Sequence, residues 1–442
     1  MSDGAVDIET RSPAAEGAYA EPIETLNPAR SSLFQNDAMW PYFERLRRED
    51  PVHYTPEDDF EAHWAITRYN DIMTIDTNHQ VFSSEGGITL PPSEARVQKM
   101  VAEGGGPGPG ASLFGDGQGN GPRMFIAMDP PKHDVQRKTV SPAVSPANLA
   151  QMEPLIRERA AAILDSLPIG EPFDWVDKVS MELTAMTLAT LFDMPQADRR
   201  KLTRWSDVVM AQPGHGLVDS WEQKRAEMFE YGSYFLNLWQ QRKNAPPAGD
   251  LVSMLAHGPE TRDMDQFEYL GNIILLTIGG NDTTRNTISG SVYALNKNPD
   301  QYAKLRADPS LIPSMVSETI RWQTPLAHMR RTAMEDFELH GKKIRKGDLV
   351  AMWYVSGNRD EEVIENPNAY IVDRPRPRQH LSFGFGIHRC VGNRLAELQL
   401  RVIWEEIAKR FPDIQLLEEP KRTFSTFVKG YERMMVEIPR RN

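Results

Sequence analysis

The sequence predicts a mainly α fold with a small β region. Apolar residues recur at three- and four-residue spacing through most of residues 130–323 and again near the C-terminus. Alternating, β-branched and aromatic stretches are short and scattered. Strands do not alternate with helices, which rules out a doubly wound sheet.

In chain order, residues 1–25 are acidic and rich in small side chains and read as a flexible N-terminal arm. Residues 36–50, NDAMWPYFERLRRED, form a helix opening at an Asn cap. PVHYT and HWAITRY are two short strands. EGGGPGPGASLFGDGQGNGP at 103–122 holds nine glycines and reads as a long loop, a natural lid. Helices are expected at about 130–145, 148–167, 174–193, 197–211, 219–243, 249–257, 264–297, 299–307 and 311–323. FELHGKKIRKGDLVAMWYV is strand-rich, with turns at His340-Gly341 and Lys346-Gly347. A last long helix spans about 392–411. Residues 26–442 are expected to form one domain.

The chain has 442 residues and a net charge of −12, which disfavours nucleic acid and anionic membranes as partners. No apolar run reaches the roughly 18 residues of a membrane span, and the N-terminus lacks the pattern of a secretory signal. The single cysteine, Cys390, excludes an intramolecular disulfide and a multi-cysteine metal site. An unpaired thiol suits a reducing cytoplasm. A monomer is expected.

Four constellations bear on function. NIILLTIGGNDTTRN sets Gly279 and Gly280 inside the longest helix, where each costs about 1 kcal/mol relative to alanine. Either the helix packs tightly there or something approaches its backbone, with Asp282 and Thr283 placed to manage protons. Glu318 and Arg321 face each other at i, i+3, a spacing too common to carry meaning alone. In DPPKHDVQRKTV, Asp129 is a cap, and His133 and Arg137 share a face as anion donors or as a solvated basic patch. Finally, FGFGIHRCVG places Cys390 at a helix entrance beside His388, Arg389 and Arg394, where N–H groups and positive charge favour a thiolate. The bland alternative is a buried small hydrophobe.

Phe383, Gly386, His388, Cys390 and Gly392 fit the pattern F-x-x-G-x-[HR]-x-C-x-G. With the other three constellations in the same order, and Pro325 after the Glu–Arg pair, the chain resembles a cytochrome P450. The resemblance covers roughly residues 35–440. It implies haem b held between a long central helix and a proximal cysteine-loop helix, with O2 as co-substrate. By the same resemblance Cys390 ligates the iron, and Phe383 and Gly386 shape the loop around the sulfur. His133, Arg137, Arg331 (or Arg330) and His388 hold the propionates. Asp282 and Thr283 are the catalytic acid–alcohol pair, and Glu318 with Arg321 is a structural pair joined by an arginine of VDRPRPR.

In detail GGNDTTRNTISG, QTPLAHMRRTA and GGITLPP are similar to soluble bacterial enzymes that hydroxylate medium-chain alkanes and fatty acids at the terminal carbon. A methyl C–H is stronger than a methylene C–H, so only a narrow apolar tube imposes terminal attack. Ile88, Leu90, Leu275, Ile278, Gly279, Leu326, Ala327, Phe427 and Val428 are its candidate lining residues; each is otherwise core. With no flavin domain and no cysteine cluster, electrons are expected from a [2Fe–2S] ferredoxin and its NADH-dependent reductase. Arg374, Arg376, Arg378, Arg389, Arg394 and Arg401, against two acids in the same stretch, suit an acidic partner. The alternatives are a bulkier terpene, steroid or macrolide substrate, a peroxide-driven peroxygenase, and a haem sensor or carrier without turnover.

Overall fold

The computed structural model describes residues 13–102, 122–211, 213–214 and 216–442. All but the last residue of the glycine-rich 103–122 segment lies outside the described residues. Its centre is the helix Gln266–Lys297. Asp265 starts it by accepting from the N–H groups of Phe267 and Glu268 at 2.9 and 3.0 Å, which satisfies donors with no partner inside the helix. At 1.5 Å per residue it runs about 48 Å. Almost every residue from Asn281 to Leu295 is buried, because helices pack around it on all sides.

The helix Asn393–Arg410, which follows the cysteine, packs on Pro146–Asp165, on Ile312–Gln323 and on the central helix. Trp404 Nε1 donates to Ser291 Oγ of the central helix at 2.8 Å. The expected helix at 130–145 ends at Val140 and tightens into a 3-10 turn. Pro146–Asp165 then begins afresh behind the Ser145 cap.

The β region is discontinuous. Its largest sheet orders Val52–Thr55, His63–Ile66, Leu349–Met352, Met329–Ala333 and Phe82–Ser83. Only the pairing of His63–Ile66 with Leu349–Met352 is parallel. The hairpin Phe337–Leu339 with Lys342–Ile344 turns at His340 and Gly341, both at positive φ. An isoleucine- and valine-rich cluster, and a second one built on alanines around Phe34, Phe43 and Trp353, pack against this sheet.

Two local expectations need correction. Residues 13–25 are not a loose arm. Pro13–Ala20 is a helix, Ala18 and Leu26 are fully buried beside Tyr42 and Leu46, and Arg45 donates to the carbonyls of Ala18 and Glu21. Residues 1–12 lie outside the described residues. Asn36 does not open the helix of the 36–50 stretch, which spans only Trp40–Glu49; it is the C-cap of the preceding helix Ser31–Gln35.

His63 and His328 are each 1% exposed, and one ring nitrogen of each has no partner among the described residues. Burial pushes them down to about 4 and about 3. The unfolded chain protonates them near pH 6.5. Between those values the unfolded state binds more protons, so stability falls as pH drops below 6.5. From pH 6.5 to 5 each histidine costs about 2 kcal/mol. The urea midpoint is therefore expected to fall between pH 7.5 and 5.0, and to fall less in the His63→Gln/His328→Gln double variant. An equal fall in both proteins contradicts the assignment.

Candidate active site

The cysteine loop is built on two glycines at positive φ, Gly384 at 62° and Gly386 at 65°, a region glycine enters without strain. Any side chain at Gly386 would strike the backbone of Asp76. The turn closes with Cys390 N–H donating to Phe383 O at 2.8 Å, and Arg137 Nη2 donates to Arg389 O. Cys390 thus sits three residues ahead of the helix Asn393–Arg410. Its side chain is open to an internal cavity while lying deep in the molecule. Burial pushes the thiol up, and the Gly392 N–H, Arg137 and Arg389 pull it back. Metal binding deprotonates such a thiol.

The cavity lies between this loop and the central helix, with a volume of about 200 Å3. Its walls include Phe125, Leu188, Leu275, Leu276, Ile320 and Leu326, with Phe383 beside Cys390. A Cβ added at Gly279 would meet nothing within 4 Å, whereas one at Gly280 would lie 2.6 Å from Leu188. The first glycine opens space on the cavity side and the second permits close helix packing.

At one edge the lining turns cationic. Arg137, Arg331 and His388 face the cavity, and the His133 ring stands 4.3 Å from that of His388. His133 Nε2 and both ring nitrogens of His388 have no hydrogen-bond partner among the described residues. Burial, then the charges of Arg331, His133, Arg137 and His79, push His388 down to about 2. Such a cluster calls for anions. Arg330 is elsewhere, donating to the carbonyls of Gly86 and Gly87.

Thr283 lines the cavity and donates to Gly279 O at 2.7 Å. Asp282 does not line it. Its Oδ1 lies 3.1 Å from Arg285 Nη2 and accepts from Asn281 Nδ2 at 3.1 Å. Arg285 also pairs with Asp207, on the helix Arg199–Met210, at 2.9 Å. Burial holds Asp282 up, to about 6, with Arg285 opposing and Asp207 adding to the rise. A buried acid at that value is suited to passing protons at neutral pH.

Glu318 and Arg321 are fully buried and joined by two bonds, of 2.7 and 2.8 Å. The arginine of VDRPRPR that joins them is Arg374, with Nε 2.9 Å from Glu318 Oε2. Of the expected tube residues, Leu275, Gly279 and Leu326 line the cavity. Leu90 and Ala327 sit instead in the cluster around Phe34, Phe43 and Trp353. Ile278 packs against the main core, Val428 bridges Leu326, and Phe427 lies edge-on to His328. Ile88, whose carbonyl accepts from Arg330 N–H, does not line the cavity either. Asp129 caps nothing; its carboxylate binds Ser83 Oγ and Ser84 N–H.

The family model described as Cytochrome P450 matches residues 111–437. The chain is a cytochrome P450. Among solved structures, cytochrome P450-153 from Novosphingobium aromaticivorans is 44% identical with a TM-score of 0.80, over 93% of this chain and 99% of that one. CYP153D17 from Sphingomonas sp. PAMC 26605 is 47% identical with a TM-score of 0.82, over 92% and 98%. Linalool 8-monooxygenase of Pseudomonas putida is 36% identical over 92% of this chain and 97% of its own length. Methyl-branched lipid omega-hydroxylase of Mycobacterium bovis is 31% identical over 89% and 90%.

A cytochrome P450 uses haem, O2 and redox partners, and the residues present fit haem. The apolar walls suit a porphyrin, the free ring nitrogens of His133 and His388 among the described residues and two guanidinium groups suit its two carboxylates, and the thiol faces the same space. Among the described residues no helix is long and apolar enough to cross a membrane.

Proposed function

We propose that this cytochrome P450 hydroxylates the terminal carbon of medium-chain alkanes or fatty acids, with electrons delivered from NADH through a reductase and a [2Fe–2S] ferredoxin. Cys390 ligates the haem iron, and His133, Arg137, Arg331 and His388 hold the propionates. When bound, haem supplies dioxygen binding and reductive O–O cleavage, with the thiolate favouring that cleavage. The protein does the rest. Thr283 presents its hydroxyl at the cavity wall, and Asp282, one position earlier and behind it, replenishes the proton. Leu275, Leu276 and Leu326 exclude water and leave the chain end as the part that reaches the reacting centre.

The carrying observation is the lining itself. Apart from the cationic edge assigned to the propionates and Cys390, its side chains are uncharged among the described residues, and most are apolar. With no further cation to hold a carboxylate, the lining favours the neutral alkane over the fatty acid. The likeness to two P450-153 structures at 44% and 47% identity supports the same reading. A second reading, a branched acyclic terpenoid chain, draws on the linalool 8-monooxygenase relative. A compartment that keeps Cys390 a free thiol, the cytoplasm, suits the enzyme.

Of the six arginines near the sulfur, three are paired. Arg374 is buried on Glu318, Arg401 binds Glu153 and Glu405, and Arg378 reaches Glu397 at 3.3 Å. Arg376, Arg389 and Arg394 remain exposed to meet an acidic ferredoxin.

The test supplies octane, dodecanoic acid and linalool with a surrogate ferredoxin system and locates the inserted oxygen. Octane is expected to give 1-octanol as the main product, and dodecanoic acid to turn over more slowly. A predominance of subterminal alcohols, or turnover of linalool alone, contradicts the terminal-alkane reading.

A further inference from the structure

Asp76 was singled out by no motif. It ends the helix Tyr69–Asp76 and is 3% exposed, a burial that carboxylates tolerate only with partners. Three donors converge on it. Arg331 Nη2 reaches Oδ1 at 2.9 Å. The Tyr354 hydroxyl and the Phe385 N–H reach Oδ2 at 2.9 and 2.8 Å. All three are donors, so the site accepts the ionised acid. Arg331 and Tyr354 also line the cavity, and Phe385 lies five residues before Cys390 in the turn closed by the Cys390–Phe383 bond.

The backbone on either side is moulded to the same residue. A Cβ at Gly384 would lie 3.2 Å from Asp76 Oδ2 and 3.2 Å from the Tyr354 hydroxyl, and one at Gly386 would strike the Asp76 carbonyl. Both glycines hold positive φ; at Gly386 the backbone of Asp76 also fills the space, and at Gly384 the carboxylate itself leaves a side chain little room. One carboxylate therefore joins the strand bearing Arg331, the short helix Tyr354–Gly357 and the thiol loop.

We propose that Asp76 is a positioning residue for the haem: it orients Arg331 toward a propionate, pins the cysteine loop through Phe385, and its buried charge lowers the reduction potential of the iron. A purely structural ion pair would hold the chain together without moving the potential. A fixed negative charge in a low-dielectric interior disfavours an added electron nearby, and Arg331 only partly offsets it, because Arg331 is shared with the propionate.

The test uses the haem-loaded protein and reads the reduction potential by spectroelectrochemistry and haem loss by transfer to apomyoglobin. Asp76→Asn removes the charge, and no orientation of the amide accepts from all three donors. The potential is expected to rise, and haem loss to speed up by about tenfold or more, the cost of a lost charge-assisted hydrogen bond. Tyr354→Phe removes one donor and leaves the carboxylate less neutralised, so the potential is expected to fall. Asp71, buried on the same helix but bound to His340 at 2.9 Å, serves as control, and Asp71→Asn is expected to leave both readouts unchanged. An unchanged potential in Asp76→Asn, or an equal shift in Asp71→Asn, overturns the proposal. If Asp76→Asn takes up no haem, a Tyr354→Phe potential equal to that of the parent overturns it.

Discussion

Replacing Cys390 by serine is expected to abolish product formation and to remove the long-wavelength Soret band that marks a thiolate ligand in the carbon monoxide complex of the reduced protein. The loss should exceed the roughly 10–100-fold that changes to residues behind a metal ligand cost, because the ligand itself is gone. A serine hydroxyl is slightly smaller than the thiol, ionises far less readily and donates less electron density. The loop geometry does not depend on the sulfur. The Cys390 N–H to Phe383 O bond and the glycines at 384 and 386 belong to the backbone. Haem should still be retained in part through the cationic edge. The variant therefore separates folding from ligation, since circular dichroism should match the parent while the spectrum does not. Retained turnover with an unchanged Soret band would end the haem–thiolate reading.

Replacing Arg321 by lysine is expected to cost about as much as deleting it, roughly 3–5 kcal/mol, because either change leaves Glu318 buried without its partner. All five N–H groups of Arg321 are used. Two go to Glu318, and three go to the carbonyls of Asn358, Pro367 and Ala369 at 2.8, 2.7 and 3.0 Å. A lysine ammonium has three donors and no planar fork. Arg374 then remains the sole cation on Glu318, and it is already committed to the carbonyls of Glu365, Asn366 and Ala369. The damage should reach the cavity, because the neighbouring Ile320 lines it and its carbonyl accepts from Ser382 Oγ of the cysteine loop at 2.8 Å. The measurement is the urea midpoint together with the fraction of purified protein carrying haem. A lysine variant with parental values for both would show that the triad contributes little.

Local chemistry was legible in the sequence, and long-range assembly was not. The cysteine loop is read within ten residues, and the central helix declares itself by length and apolar content. Asp282 shows the limit. The sequence sets the acid beside Thr283, but Asp282 pairs with Arg285, itself held by Asp207 of a distant helix, while Thr283 and Thr284 line the cavity. Leu90 and Ala327 are apolar in the right neighbourhood, yet they belong to the cluster around Trp353 and do not line the cavity. Arg401 counted as surface charge until Glu153 was brought to it from 248 positions away, and only the resemblance, not the spacing, linked an arginine of VDRPRPR to Glu318, 56 positions from Arg374. Asp76 gave no signal, since its partners stand 255, 278 and 309 positions along the chain.

The bare Cα at 279 has a practical corollary. Of the glycines on the central helix it is the one where an added Cβ meets no neighbour, and trading glycine for alanine there also gains about 1 kcal/mol of helix propensity. Catalytic reach and robustness are thus not in opposition at this position. Breeding shorter-chain selectivity into the protein should harden it, against the usual trade-off between new activity and stability.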